Sequence, residues 1–385
     1  MKYRKVPILC AAVSSVLKYS FTGTLVVAAQ LTLPAQTGSK TQPGLAPPPL
    51  HWAWTSIDAT QAWDVWTTAA EKVEPVVAVL DNGFDLDHFE LKSHLWGTAG
   101  KHGYDFVDDD DVPEPVPPST YHGTFVAGLI GADHGNFLGI AGVSPNARLM
   151  LLRWDGEGLT VAKRADNLIR AVSFALTNGA KVVNISAAFV LRKTAAEDQI
   201  IQGLLHERFQ SAASSNVLIV CAVANDPLNN SDLDDPANLF FEAPAMFEFD
   251  NIICVTGLRP NPERQVYEYG KSSVDIAAPA AGIPGPAPDD LFRFDDGASF
   301  ATAFVSGSAG LIWSIMPKLH ATEVRALLLG KAKLLSVNTG KEWGHKPPAV
   351  HNGALDLTFV KDAYDAYTNG VAYGACFPAH AKDRP

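Results

Sequence analysis

The sequence predicts an α/β fold of three layers, a central, mostly parallel sheet flanked by helices, and two observations carry this reading. Its apolar runs of strand length are continuous rather than alternating, as strands buried on both faces must be. Stretches of helical periodicity lie between them, and a strand, helix, strand repetition implies a parallel sheet with helices over both faces. At 385 residues, 47% of them hydrophobic, the chain can bury the core of one large domain or of two small ones.

The elements follow in order. The N-terminus, MKYRKVPILCAAVSSVLKYSFTGTLVVAAQ, has a basic start and two apolar runs split by Lys18, neither long enough to span a bilayer. With Val27-Ala28-Ala29 as a small-residue cleavage site, residues 1–35 read as an export signal. A secreted or periplasmic protein is therefore expected, with no stable membrane span after processing. Residues 36–50, rich in Pro and Gly, read as a linker. The folded domain is expected over 51–370 and a C-terminal tail over 371–385.

Inside the domain the expected strands are VVAVL (76–80), RLMLLRW (148–154), KVVNIS (181–186), VLIVCAVA (217–224) and NIICVTG (251–257). LTVAKRADNLIRAVSFALTNG, closed by Asn-Gly, and AEDQIIQGLLHERFQSAAS are the expected helices. A further helix, GASFATAFVSGSAGLI (297–312), is built largely from Gly, Ala and Ser, and Gly307 and Gly310 each cost it about 1 kcal/mol of helix propensity. Of the four cysteines, Cys10 falls in the leader. The remaining three close no disulfide framework, and Cys221 and Cys254 read as buried thiols in apolar runs. The 30 basic against 41 acidic residues give a net charge of -11, which argues against a nucleic-acid partner.

In such sheets the reacting groups collect beyond the carboxyl ends of strands. VVAVL ends in Asp81, and Gly83 permits the turn that leaves this carboxylate at a strand tip. His122 opens the apparent helix HGTFVAGLIGA, and Ser299 follows a glycine at the start of another. A serine hydroxyl is a weak nucleophile until an imidazole takes its proton, and the imidazole needs a carboxylate to fix its tautomer and stabilise its cation. The order Asp, His, Ser is one of three known chain orders for that geometry.

The segments AVLDNGFDLDH, HGTFVAG and GASFATAFVSGSAGLI resemble the aspartate, histidine and serine segments of the subtilase family of serine proteases. The resemblance covers residues 51 to 365, with weaker matches in YDFVDDDDVPEP, GIAGVSPNARLMLLR and VDIAAPA. It implies a subtilisin-like fold and a serine endopeptidase acting on protein or peptide substrates, with Asp81, His122 and Ser299 as its triad and no cofactor required for the chemistry. Ala224-Asn225 resembles the family's Gly-Asn pair, which implies Asn225 as the oxyanion donor. The family also explains the small-residue helix: it lies buried against the sheet, where small residues let backbones approach, and Gly297 leaves room for the substrate.

Departures from the family pattern set further expectations. Ala298 precedes the nucleophile, Ala303-Phe304 follow it, and Phe125 stands where the family often has a second histidine. Where the family has Ser-Leu-Gly-Gly, this chain has Ser186-Ala187-Ala188-Phe189; that segment pairs with the substrate backbone in the family. Side chains in place of glycines should narrow the primary specificity pocket. Glu242, aligned through Pro244, falls near the floor of that pocket and would favour Lys or Arg before the scissile bond. No folding propeptide fits between leader and domain, so the domain is expected to fold unaided or with a partner.

Glu90 and Asn136 fall where one family calcium site draws ligands, making them the candidates for a structural calcium ion. Asp108 to Asp111 read as a solvated loop, and DPLNNSDLDDPANLFFEAPAMFEFD as an exposed insertion. Two alternatives stand beside the protease: a catalytically silent subtilase fold that binds peptides or proteins, and a metal-dependent hydrolase using Asp81, Asp85, Asp87 and His88.

Overall fold

The computed structural model describes residues 51–369, apart from 98–99, 118–119, 137, 226–231, 261–267, 271 and 334–352. In chain order the elements are α1 (Trp52–Ser56), α2 (Ala59–Thr68), β1 (Val76–Asp81), β2 (Gly103–Asp105), α3 (His122–Gly131), β3 (Arg148–Arg153) and α4 (Val161–Thr177). Next come β4 (Val182–Ile185), β5 (Phe189–Arg192), α5 (Ala196–Ala213), β6 (Leu218–Ala222), β7 (Phe240–Ala243) and β8 (Ile252–Leu258). The chain continues through β9 (Ile276–Pro279), β10 (Ile283–Ala287), β11 (Leu291–Asp295), α6 (Ala298–Ile315), α7 (Ala321–Gly330) and α8 (Val360–Thr368).

Seven strands form one sheet in the order β2-β3-β1-β4-β6-β8-β9. Every neighbouring pair in it is parallel. The five runs expected as strands are β1, β3, β4, β6 and β8, and β4, β6 and β8 are buried at every position. Helices cover the sheet, so these strands have no solvated face, and this is why their sequences do not alternate. The chain leaves β1 toward β3 on one side and returns to β4 on the other. The strand order thus reverses at β1, and ligands bind in parallel sheets at the carboxyl end of such a reversal.

Two small antiparallel pairs lie outside the sheet, β5 with β7 and β10 with β11. FFEA, expected in an exposed insertion, is β7: Phe240 is exposed at its start, while Glu242 and Ala243 are buried opposite Val190 and Phe189. Pairing with β5 is what draws it inward. The Asp108–Asp111 loop lies at the surface as expected, with Asp108 on Arg153, Asp109 on Arg170 and Asp111 on Lys101. Cys221 and Cys254 face each other across β6 and β8 as free, buried thiols, and burial pushes both pKa values up. Cys10 and Cys376 lie outside the described residues.

Helix α6 crosses β4, β6, β8 and β9 and packs on α3, with all 18 of its residues buried. It is long and apolar enough to cross a membrane, but its whole surface is spent inside the fold. A Cβ on Gly307 would stand 2.8 Å from Val143 Cβ, and one on Gly310 would stand 2.9 Å from Ser144 Oγ. Close approach to the 143–144 segment is therefore the reason for both glycines. Gly307→Ala is expected to destabilise by about 1–3 kcal/mol, overpacking outweighing the gain of about 1 kcal/mol in helix propensity. The urea midpoint measures this, and an unchanged or raised midpoint would refute it.

Candidate active site

Asp81 is the last residue of β1, at the point where the strand order reverses, and is 5% exposed. Its Oδ1 accepts from the Asn82 N–H at 2.8 Å. The backbone then turns through Gly83, whose φ of +132° lies in the left-handed half of the map and whose Cβ would strike the backbone of Pro115. His122 begins α3. The next residue must be glycine, because a Cβ on Gly123 would meet the Gly83 carbonyl and stand 3.1 Å from Asp81 Cβ. Two glycines in the two motifs thus let helix and turn touch, and His122 Nδ1 comes to 2.8 and 3.0 Å from the two Asp81 oxygens. Burial by itself would lower the imidazole pKa. The Asp81 charge and hydrogen bond, with added pull from Asp295 and Asp155, more than reverse this and hold it above the ordinary 6.5.

Ser299 is the second residue of α6 and is 3% exposed. Its Oγ donates to the Ser186 carbonyl at 3.1 Å, so in this rotamer the hydroxyl proton points to the 186–188 segment and not to the imidazole. The Ser186 hydroxyl donates to the Ser299 carbonyl at 2.9 Å and accepts from Asn184 Nδ2 at 2.9 Å, while Asn184 Oδ1 accepts from Ser306 Oγ at 2.8 Å. This buried chain, Ser306 to Asn184 to Ser186, ties the first turns of α6 to the end of β4. A polar Asn in the apolar run KVVNIS was the signal for it.

Asn225 follows β6 and is 8% exposed. Its Oδ1 accepts from the Ala298 N–H at 2.8 Å, which leaves the amide –NH₂ as the end free to donate. Asp81, His122, Ser299 and Asn225 line one cleft with Ser186, Ala187 and Ala188. The cleft is small, about 30 Å³, room for about two waters. Nothing crowds Gly297: its φ of 172° is ordinary extended backbone, and the nearest atom to a Cβ there would be Phe300 Cε2 at 3.4 Å.

Glu242 does not line the cleft. It is 3% exposed, behind the cleft wall, and its Oε2 accepts from the Ala224 N–H at 2.9 Å. The carboxylate thus anchors the backbone just before Asn225, where the sequence reading expected it to meet a substrate cation. The wall contains instead Trp154 and Asp155, which sequence reasoning missed. Asp155 forms a two-pronged ion pair with buried Arg164, nine residues on, and nothing in the sequence marks that pairing. Asp85, Asp87 and His88 do not join Asp81: Asp85 accepts from the Asp87 and Asp289 N–H groups, and His88 Nε2 lies 3.3 Å from the Leu291 carbonyl. Among the described residues no three His, Cys, Asp or Glu side chains converge as a metal site. Glu90 and Asn136 do meet, Asn136 Nδ2 donating to Glu90 Oε2 at 3.1 Å.

Comparison with known proteins gives one answer. A sequence model of the subtilase family matches residues 72–359. Among curated proteins the chain is 28% identical over 290 residues to thermitase of Thermoactinomyces vulgaris, covering 74% of this chain and 89% of that one. It is 29% identical over 313 residues to an intracellular serine protease of Paenibacillus polymyxa, covering 80% and 86%. Among solved structures, the subtilase cytotoxin SubAB superposes with a TM-score of 0.64 at 24% identity, over 83% of this chain and 97% of that one. The nisin leader peptidase NisP of Lactococcus lactis gives 0.63 at 20% identity, over 81% and 93%. At these identities the two structures speak for the fold alone.

Proposed function

The chain belongs to the subtilase family and is a subtilisin-like serine protease acting on protein or peptide substrates, and from that premise we propose that Ser299, His122, Asp81 and Asn225 carry out the hydrolysis. The observation that carries the reading is the His122 Nδ1 contact to Asp81, 2.8 Å, in the same narrow cleft as Ser299. Rotation about χ1 brings Ser299 Oγ to the substrate carbonyl carbon as His122 Nε2 takes its proton. Asp81 holds the other ring nitrogen protonated and stabilises the cation. The oxyanion that forms accepts from the Asn225 –NH₂. His122 then gives its proton to the departing amine, and the acyl-enzyme is released by water along the same path in reverse. Peptide mapping after fluorophosphonate labelling tests this: label on Ser299 supports it, and label on another residue sinks it.

Because the base must be neutral and its pKa is raised, the acid limb of kcat/KM is expected above pH 6.5. Asp295→Asn removes one of the charges that raise it, so the limb should move to lower pH. A pH–rate profile of both proteins checks the sign; a limb that stays or moves upward contradicts it.

With Ala187 and Ala188 lining the cleft where the family has glycine-rich sequence, we infer a preference for small side chains before the scissile bond. A peptide library in which Lys, Arg or Phe led at that position would overturn it. We further infer that the chemistry needs no cofactor, and that Glu90 and Asn136 are candidate ligands of a structural calcium ion. Glu90 Oε1 is buried without a well-aligned hydrogen bond among the described residues, and burial, outweighing the Asn136 and weaker backbone contacts, pushes the carboxyl pKa up to about 8. An oxygen-seeking cation would relieve both. Equal melting temperatures in calcium and in chelator would refute the site. The 1–35 leader supports export to a secreted or periplasmic location, which sequencing the N-terminus of protein recovered outside the cytoplasm checks.

A further inference from the structure

The hairpin β10–β11 lies against α3: a Cβ on Gly128 would strike Pro286, and one on Gly285 would stand 2.5 Å from the Phe125 ring. Its second strand runs directly into the turn that presents Ser299. Tyr121, the residue before His122, donates its hydroxyl to Asp295 at the end of that strand. Arg293 lies over the Tyr121 ring, its guanidinium 3.6 Å from the centroid. Its one ion-pair contact among the described residues is Asp295, at 3.8 Å, and the side chain is 45% exposed. A guanidinium has five N–H donors in a rigid fork, and stacking on an aromatic face fixes where that fork points. The aspartates of this region also carry other bonds: Asp295 accepts from Tyr121, Asp290 from the Phe89 N–H and Asp296 from the Gly282 N–H.

The side of the cleft follows from the chemistry. Ser186, Ala187, Ala188, Trp154 and Asp155 line one wall of the cleft, and the family resemblance, in which the 186–189 segment pairs with the substrate backbone, assigns the acyl half to that wall. His122 must hand its proton to the departing amine, so the leaving half passes His122 beyond that wall. The hairpin contributes none of the residues lining the cleft and approaches His122 through Tyr121. We propose that Arg293 binds a carboxylate on the leaving segment of the substrate, either an Asp or Glu side chain close behind the scissile bond or the free carboxy terminus of a short leaving peptide. This rests on the serine-protease reading of the site.

The test uses the full chain and matched peptides carrying Glu, Ala or Lys at the first two leaving positions, each with an amidated and with a free carboxy terminus. Glu is expected to exceed Lys by about tenfold in kcat/KM, the size of one well-placed charge-assisted contact. Arg293→Gln should bring the Glu/Lys ratio near one and Arg293→Glu should invert it; as ratios, these are insensitive to any loss of folded protein. Preference in the amidated peptides assigns the side chain, and preference only for the free terminus assigns the terminal carboxylate. A wild-type ratio near one with no gain from a free terminus overturns the proposal, as does a preference that survives in Arg293→Gln. Absence of both cleavage and fluorophosphonate labelling in the wild type would overturn the underlying reading, and this one with it.

Discussion

Ser299→Ala is expected to lower kcat by about 10⁶, a magnitude measured on subtilisin, with residual turnover of about 10³–10⁴ over water left to the oxyanion donor and to binding. The physical basis is that no other nucleophile is placed at the cleft end of α6. On the proposed mechanism Ser299 and His122 act as one unit, so His122→Ala should cost about as much and the double variant little more. Stability supplies the control. The lost Ser299 Oγ to Ser186 carbonyl bond is worth only about 1 kcal/mol, and the cavity is one oxygen in size. A variant that melts close to the wild type and keeps more than a hundredth of its activity on a peptide would contradict the assignment.

Asn225→Ala is expected to lower kcat by about 10²–10³ with little change in KM, again a magnitude known from the corresponding donor of subtilisin. The amide meets charge that exists only in the transition state, which is why the loss should fall on kcat. This substitution also has a structural cost. It removes the acceptor of the Ala298 N–H, buried beside Ser299, and an orphaned buried donor costs about 1–3 kcal/mol. Steady-state kinetics and a denaturant midpoint separate the two effects; an unchanged kcat would remove Asn225 from the mechanism.

The central strands and the motif residues were legible because each is written in a few neighbouring residues. A buried parallel strand announces itself as an unbroken apolar run, and β1, β3, β4, β6 and β8 were read this way. Gly83 carries its meaning locally too, in a turn, whereas Gly123 is explained only by its approach to Gly83 and Asp81, far back in the chain. What was not legible depends on partners far along the chain. The strands β5 and β7 are four residues each and are paired only with each other, so their register decides whether Glu242 faces the cleft or the backbone of Ala224. Alignment through Pro244 could not settle that register. Arg164 on Asp155 and Tyr121 on Asp295 are likewise pairings of common polar residues, whose meaning appears only once α4 and the hairpin are folded.

The strand order has a consequence for the cell that makes this protease. Asp81 ends β1, while Ser299 sits on α6, which needs β4, β6, β8 and β9 beneath it before it can dock. A ribosome adding about 5–20 residues per second takes about 10–40 s to travel from the one residue to the other. During that interval the nascent chain holds a carboxylate and an imidazole but no nucleophile, and even a completed chain must close several distant strand pairings, which are slow to form. On the proposed mechanism peptide-cutting power therefore arrives late, once α6 has docked on the assembled sheet, and a chain stalled before Ser299 lacks the group that would cut the machinery around it.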